Sequence, residues 1–99
     1  MDKNPLLQLP EEVTLLGIPI KIIVDDTMIE KHSFIGRADY INQTIIIDTT
    51  APKETVEQAL IHELCHYIMH FMGEEELRDN EKFVDMLAHL IYQALASIR

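Results

Sequence analysis

The stretch His62-Glu63-Leu64-Cys65-His66 lies inside a longer run, from about Lys53 to Met72, whose apolar residues recur at helical spacing. On one helix, imidazoles four residues apart project from the same face one turn apart, close enough to share one zinc ion, with Glu63 beside them as a candidate general base. On a helical wheel Leu60, Ile61, Leu64, Ile68, Phe71 and Met72 group on one side, with Cys65 toward it as a small core residue, while His62, His66 and His70 lie roughly opposite. The helix is therefore expected to pack on a sheet with its histidines turned outward. Tyr67 and Met69 flank the histidine face, as packing or as cleft lining.

The chain before this helix supplies the strands. Ile45-Ile46-Ile47, within Thr44–Asp48, reads as a central strand covered on both faces. Phe34–Tyr40 reads as its neighbour, joined through Ile41, Asn42 and Gln43. From Val13 to Val24 a third strand bends at Gly17, and Pro19, which has no N–H for a ladder, gives it one free edge or a bulge. Asp25 to Ser33 is a loop or short helical turn, and residues 1 to 12 form an irregular lead-in whose Leu6, Leu7 and Leu9 pack down. Thr49 or Thr50 is expected to cap the long helix, with Pro52 in its first turn, where the missing N–H costs nothing.

After the helix, Gly73 is a natural stop and Glu74-Glu75-Glu76 forms a turn. A second helix follows from Asp79 or Asn80. Its apolar face is Phe83, Val84, Leu87, Leu90, Ile91, Ala94, Leu95 and Ile98, and Glu81, Asp85, Ala88 and Tyr92 form a flanking stripe. Zinc usually takes at least three protein ligands. His70 is a poor third beside His62 and His66, because eight residues of helix separate His62 from His70 by about 12 Å. His66 and His70 could bind a metal without His62, but Tyr67 follows His66, so that pairing has no adjacent carboxylate. Glu81 is the better third ligand, since Gly73 lets the second helix fold back beside His62 and His66. Asp85, one turn further on, is placed to accept the free ring N–H of a ligand histidine and fix its tautomer.

Composition sets the limits around this site. With 99 residues the chain is one domain, 1–99, of ordinary globular character, 47% hydrophobic and 25% charged. Its 8 basic and 17 acidic residues give a formal charge of −9, which repels phosphate backbones and anionic membrane surfaces. No nucleic-acid partner is expected. No apolar stretch approaches the roughly 20 residues of a membrane span. Cys65 is the only cysteine, and Met1-Asp2-Lys3-Asn4-Pro5 lacks the basic and apolar regions of a signal peptide, so the expected location is cytoplasmic.

His62-Glu63-Leu64-Cys65-His66 followed by Asn80-Glu81-Lys82-Phe83-Val84-Asp85 resembles the gluzincin pattern, in which a Glu on a downstream helix completes a zinc site and an Asp four residues later supports a ligand histidine. The short spacing resembles minimal single-domain gluzincins and the phage- or prophage-borne ImmA/IrrE-like metallopeptidases. Gly36-Arg37-Ala38-Asp39-Tyr40 and Gln43-Thr44-Ile45-Ile46-Ile47 also resemble the sheet segment before the active helix of those small phage proteins, so the likeness covers roughly Phe34 to the C-terminus. The resemblance implies an α+β, zincin-like fold, with a small, mainly antiparallel three-stranded sheet, an active-site helix and a Glu-bearing helix. It also implies a zinc-dependent metalloendopeptidase acting on a peptide or protein substrate. His62, His66 and Glu81 would hold Zn2+, Asp85 would support a ligand histidine, and Glu63 would take the proton of a zinc-activated water and pass it to the leaving amine. An extended peptide would add to the free sheet edge. Tyr40, Tyr92, His70 and His89 are the candidates for stabilising an oxyanion. Two other readings stay open: a zincin-shaped zinc-binding interaction module without useful turnover, and a protease blocked by residues 1 to 12 or by a second copy.

Overall fold

Leu16 and Gly17 both adopt positive φ, 52° and 74°, and this folds the first apolar run back on itself instead of merely bending it. A two-residue turn with both central residues in that region matches the natural twist of a hairpin, so the expected single strand is two: β1 (Glu12–Leu15) and β2 (Ile18–Val24), paired antiparallel from Glu12↔Lys21 to Leu15↔Ile18. The computed structural model describes residues 9–98. Leu6 and Leu7 of the lead-in lie outside them, while Leu9 packs against the core.

A short helix, α1 (Met28–His32), then leads to β3 (Gly36–Asp39) and β4 (Thr44–Ile47). The sheet is four-stranded and mixed, in the order β1-β2-β4-β3, where the sequence predicts three mainly antiparallel strands. β2 runs parallel to β4, in register from Lys21↔Thr44 to Val24↔Ile47, and β3 pairs antiparallel on the far side of β4. β4 lies between β2 and β3 with all four residues buried, which is the expected place for Ile45-Ile46-Ile47. Pro19 falls before Lys21, where the β2–β4 register begins, so the missing N–H faces no strand of this ladder.

Asp48 is fully buried at the exit of β4 and accepts the backbone N–H groups of Ile29 and Thr50, each at 2.9 Å, and the Thr50 hydroxyl. These donors, the Ile29 N–H above all, hold its carboxyl below the usual range. Thr49 is likewise committed to Asp26 through its N–H and hydroxyl. Neither threonine therefore caps the next helix. Pro52 occupies that position without a side-chain cap, and α2 spans Lys53–Met72.

Gly73, at φ 75°, ends α2 in the left-handed conformation with its N–H on the His70 carbonyl. The acidic segment beyond is a one-turn helix, α3 (Glu75–Arg78), where the sequence suggests only a turn. α4 (Glu81–Ser97) opens at Asn80, whose side chain accepts the Phe83 N–H at 3.0 Å.

α2 is the middle layer between the sheet and α4. One side joins Ile20, Ile45 and Ile47 of the sheet to Val56, Leu60 and Tyr67 of α2. The other joins Ile61 and Cys65 of α2 to Val84 and Ala88 of α4. Because the helix is covered on two sides, the wheel's single apolar face is split: Met69 and Tyr67 are buried packing residues, whereas Met72 and Ile68 reach the surface. The tyrosine hydroxyl also lies 2.6 Å and 3.0 Å from the carbonyls of Asp39 and Thr44, tying α2 to the β3–β4 turn. Leu90 and Leu95 of α4 and Ile98 just beyond its end are exposed, although they share the predicted apolar face. Among the described residues, no helix is long and apolar enough to cross a membrane.

Candidate metal centre

The expected return of the chain beside the histidines is what the fold produces. His62 and His66 stand one turn apart on α2, and Glu81, the first residue of α4, comes to meet them. The His62 Nε2 lies 3.2 Å from the His66 Nε2 and 3.1 Å from the Glu81 Oε1, and the His66 Nε2 lies 3.1 Å from the Glu81 Oε2. His66 is nearly buried and His62 half-covered, while Glu81 approaches from the solvent side.

Two imidazole nitrogens and a carboxylate are groups that can bind a cation. The His62 Nδ1 lies 3.5 Å from the Asp85 carboxylate. With its proton on Nδ1 the His62 ring turns the Nε2 lone pair toward the Glu81 carboxylate, the form that binds a metal ion, whereas with the proton on Nε2 it donates to Glu81 across the 3.1 Å contact. Tetrahedral ligands at about 2.0–2.1 Å from one ion would stand about 3.3 Å apart, close to the spacings found. His62, His66 and Glu81 could hold a metal ion between them. Asp85 stands beside the His62 ring without being one of the three donors.

Glu63 is not one of the triangle's donors, and its side chain reaches β3. Its carboxylate accepts the Ala38 backbone N–H, and burial pushes its pKa up to about 7, against the pull of His62. Room for it exists because residue 36 is glycine: a Cβ there would stand 3.1 Å from the Glu63 Cγ, 3.3 Å from its Oε2 and 3.2 Å from the Ile47 Cδ1. The Asp48 N–H to Ile35 carbonyl bond sets the phase of the β3–β4 ladder, so the backbone groups of Gly36 and Ala38 point to the open edge. The Ala38 N–H that Glu63 uses is one of them. Gly36→Ala, whose Cβ would press on the Glu63 Cγ and the Ile47 Cδ1 until one of them gives by a few tenths of an ångström, should leave metal content unchanged because Glu63 stands outside the triangle; loss of metal in that variant would show that the glycine also shapes the donor set.

The remaining candidates separate clearly. The His70 Nδ1 takes a hydrogen bond from Arg78 at 3.0 Å and its ring stacks on Tyr40 with centroids 4.3 Å apart, so it belongs to a neighbouring cluster and not to the triangle. Arg78 in turn pairs with Asp79 at 2.9 Å and lies over the Tyr40 ring at 5.4 Å. Burial raises the Tyr40 hydroxyl to about 12, which keeps it protonated. Tyr92 donates to the Glu57 Oε1 at 2.7 Å, in the α2–α4 interface, and is removed from the chemistry. His89 lines the cleft beside His62 and Asp85. Cys65 is core, with its thiol pushed up by burial.

Sequence reasoning missed the seat of Glu63 on β3. The available signal was Gly36 inside a strand, which marks close approach of another group. It also missed Arg78, which only the turn of α3 brings to His70. Comparison of the chain with known protein families, with curated proteins and with solved structures finds no match.

Proposed function

We propose that this domain is a zinc-dependent metalloendopeptidase with a zincin-like arrangement of the gluzincin type. The carrying observation is the donor triangle, two imidazole nitrogens and one carboxylate 3.1–3.2 Å apart, with a second carboxylate, Glu63, held next to it but outside it. Two nitrogens and one carboxylate suit zinc, and three protein ligands leave a position open, as in catalytic rather than structural sites. Zinc bound there would supply Lewis acidity, making a water acidic enough to attack near neutral pH and polarising the scissile carbonyl.

The chain's own residues divide the remaining work. Glu63, fixed by the Ala38 N–H and the open space at Gly36, takes the proton of the attacking water at its carboxylate and delivers it to the leaving amine. Asp85 holds the His62 ring in the tautomer that presents Nε2. The open edge of β3 offers the backbone groups of Gly36 and the Ala38 carbonyl to an extended peptide. The test is metal removal. Zinc-loaded protein should cleave an unstructured peptide mixture, lose that activity on dialysis against a chelator and regain it with added zinc. Stoichiometric zinc binding with no cleavage would replace this reading with that of a zinc-binding interaction module.

A further inference from the structure

We propose that the substrate is a peptide carrying a bulky apolar side chain, such as Phe, Leu or Met, next to the scissile bond, and that the cavity between β3, α2 and α4 receives it. The proposal rests on the peptidase reading and adds its specificity.

The cavity measures about 350 Å³ and has His62 and Glu63 at one end, so whatever fills it lies beside the reacting bond. Phe34, Ile35, Gly36, Ala59 and Ala88 form its apolar walls, and polar side chains, Gln58 among them, complete the lining. Three of the apolar residues are glycine or alanine, and it is their small size that leaves the space between the strand and the two helices. A peptide extended along β3 directs alternate side chains to opposite faces, so those on the helix side point toward this space.

Charge narrows the class further. No lysine or arginine lines the cavity, and Glu63 and Asp85 border it, so an anionic side chain meets repulsion. A cationic one would have to compete for carboxylates that already have partners, Asp85 beside the His62 ring at 3.5 Å and Glu63 with the Ala38 N–H. An ammonium against the apolar walls would also exchange part of its hydration for neutral partners such as Gln58. An apolar side chain loses nothing comparable and gains burial.

The experiment uses the whole zinc-loaded chain and a mixture of unstructured peptides of diverse sequence, with cleaved bonds located by mass spectrometry. Cleaved bonds should carry Phe, Leu or Met on one and the same side, preferred over Ala, Asp and Lys by about tenfold or more in kcat/KM. Ala59→Leu, which fills the cavity, should shift that preference toward Gly, Ala and Ser. Phe34→Ala, an exposed position where folding is not at risk, should weaken the preference by removing one wall. Cleavage without preference on either side, a charged preference, or profiles identical in wild type and both variants would overturn the specificity proposal while leaving the peptidase reading intact. Zinc-loaded wild type that cleaves nothing in the mixture would overturn the peptidase reading itself, and the specificity with it.

Discussion

Glu63→Gln should bind zinc as the wild type does and lose about 10²- to 10⁴-fold in kcat/KM, the range a positioned general base contributes. The substitution keeps size and shape. The amide oxygen can still accept the Ala38 N–H, and Gly36 still admits the side chain, so the local fold has no reason to change. Glu63 is not part of the donor triangle, so metal content should be preserved. What disappears is the ability to accept a proton. Zinc analysis together with peptide cleavage checks both halves, and residual activity close to wild type would remove Glu63 from the mechanism. A thermal consequence follows for the metal-free protein. Burial raises the Glu63 pKa in the folded state to about 7 from its ordinary 4.5, so between those values the folded state holds more protons than the unfolded one and stability falls as pH rises. Metal-free Glu63→Gln lacks this loss and should melt above metal-free wild type at pH 8, with the gap closing toward pH 4.5.

Glu81→Ala should strip the site of its metal, with zinc affinity falling by more than the 10- to 100-fold typical of losing an outer partner. Glu81 provides the only carboxylate of the triangle, and its two oxygens face the two histidines at 3.1 Å. The side chain is largely exposed and the Asn80 cap remains, so the cost to the fold is limited to a favourable first-turn charge, about 0.3–1 kcal/mol. Asp85→Asn is the informative contrast. It keeps the ligands but weakens the hold on the His62 Nδ1, and its affinity loss should stay within that 10- to 100-fold range. Wild-type zinc occupancy in purified Glu81→Ala would exclude it as the third ligand.

Much of the frame is legible in local chemistry. Pro52 and Gly73 bracket α2, and Asn80 marks the start of α4, because each acts on backbone groups within a turn of itself. The run Ile45-Ile46-Ile47 announces a strand covered on both faces. The turn at Leu16 is harder to read, since a leucine at φ 52° contradicts its own preference and is carried by the hairpin around it. The N-cap of α2 is misread because both threonines are engaged elsewhere: Asp26, 23 residues away, holds Thr49, and Asp48, two residues back, holds Thr50 in a local turn.

The sequence by itself determined which residues can meet at the candidate metal site, because helical periodicity places His62 and His66 on one face and sets His70 apart, while Gly73 sets how soon α4 can return. Tertiary structure alone decided the rest. The parallel pairing of β2 with β4 puts β3 at the open edge of the sheet, and α2 lies between sheet and α4 with its histidines in the groove between them. The seat of Glu63 on Gly36 and Ala38 joins residues some 25 positions apart. No local propensity encodes such a contact; it exists only once the sheet and the helix have packed.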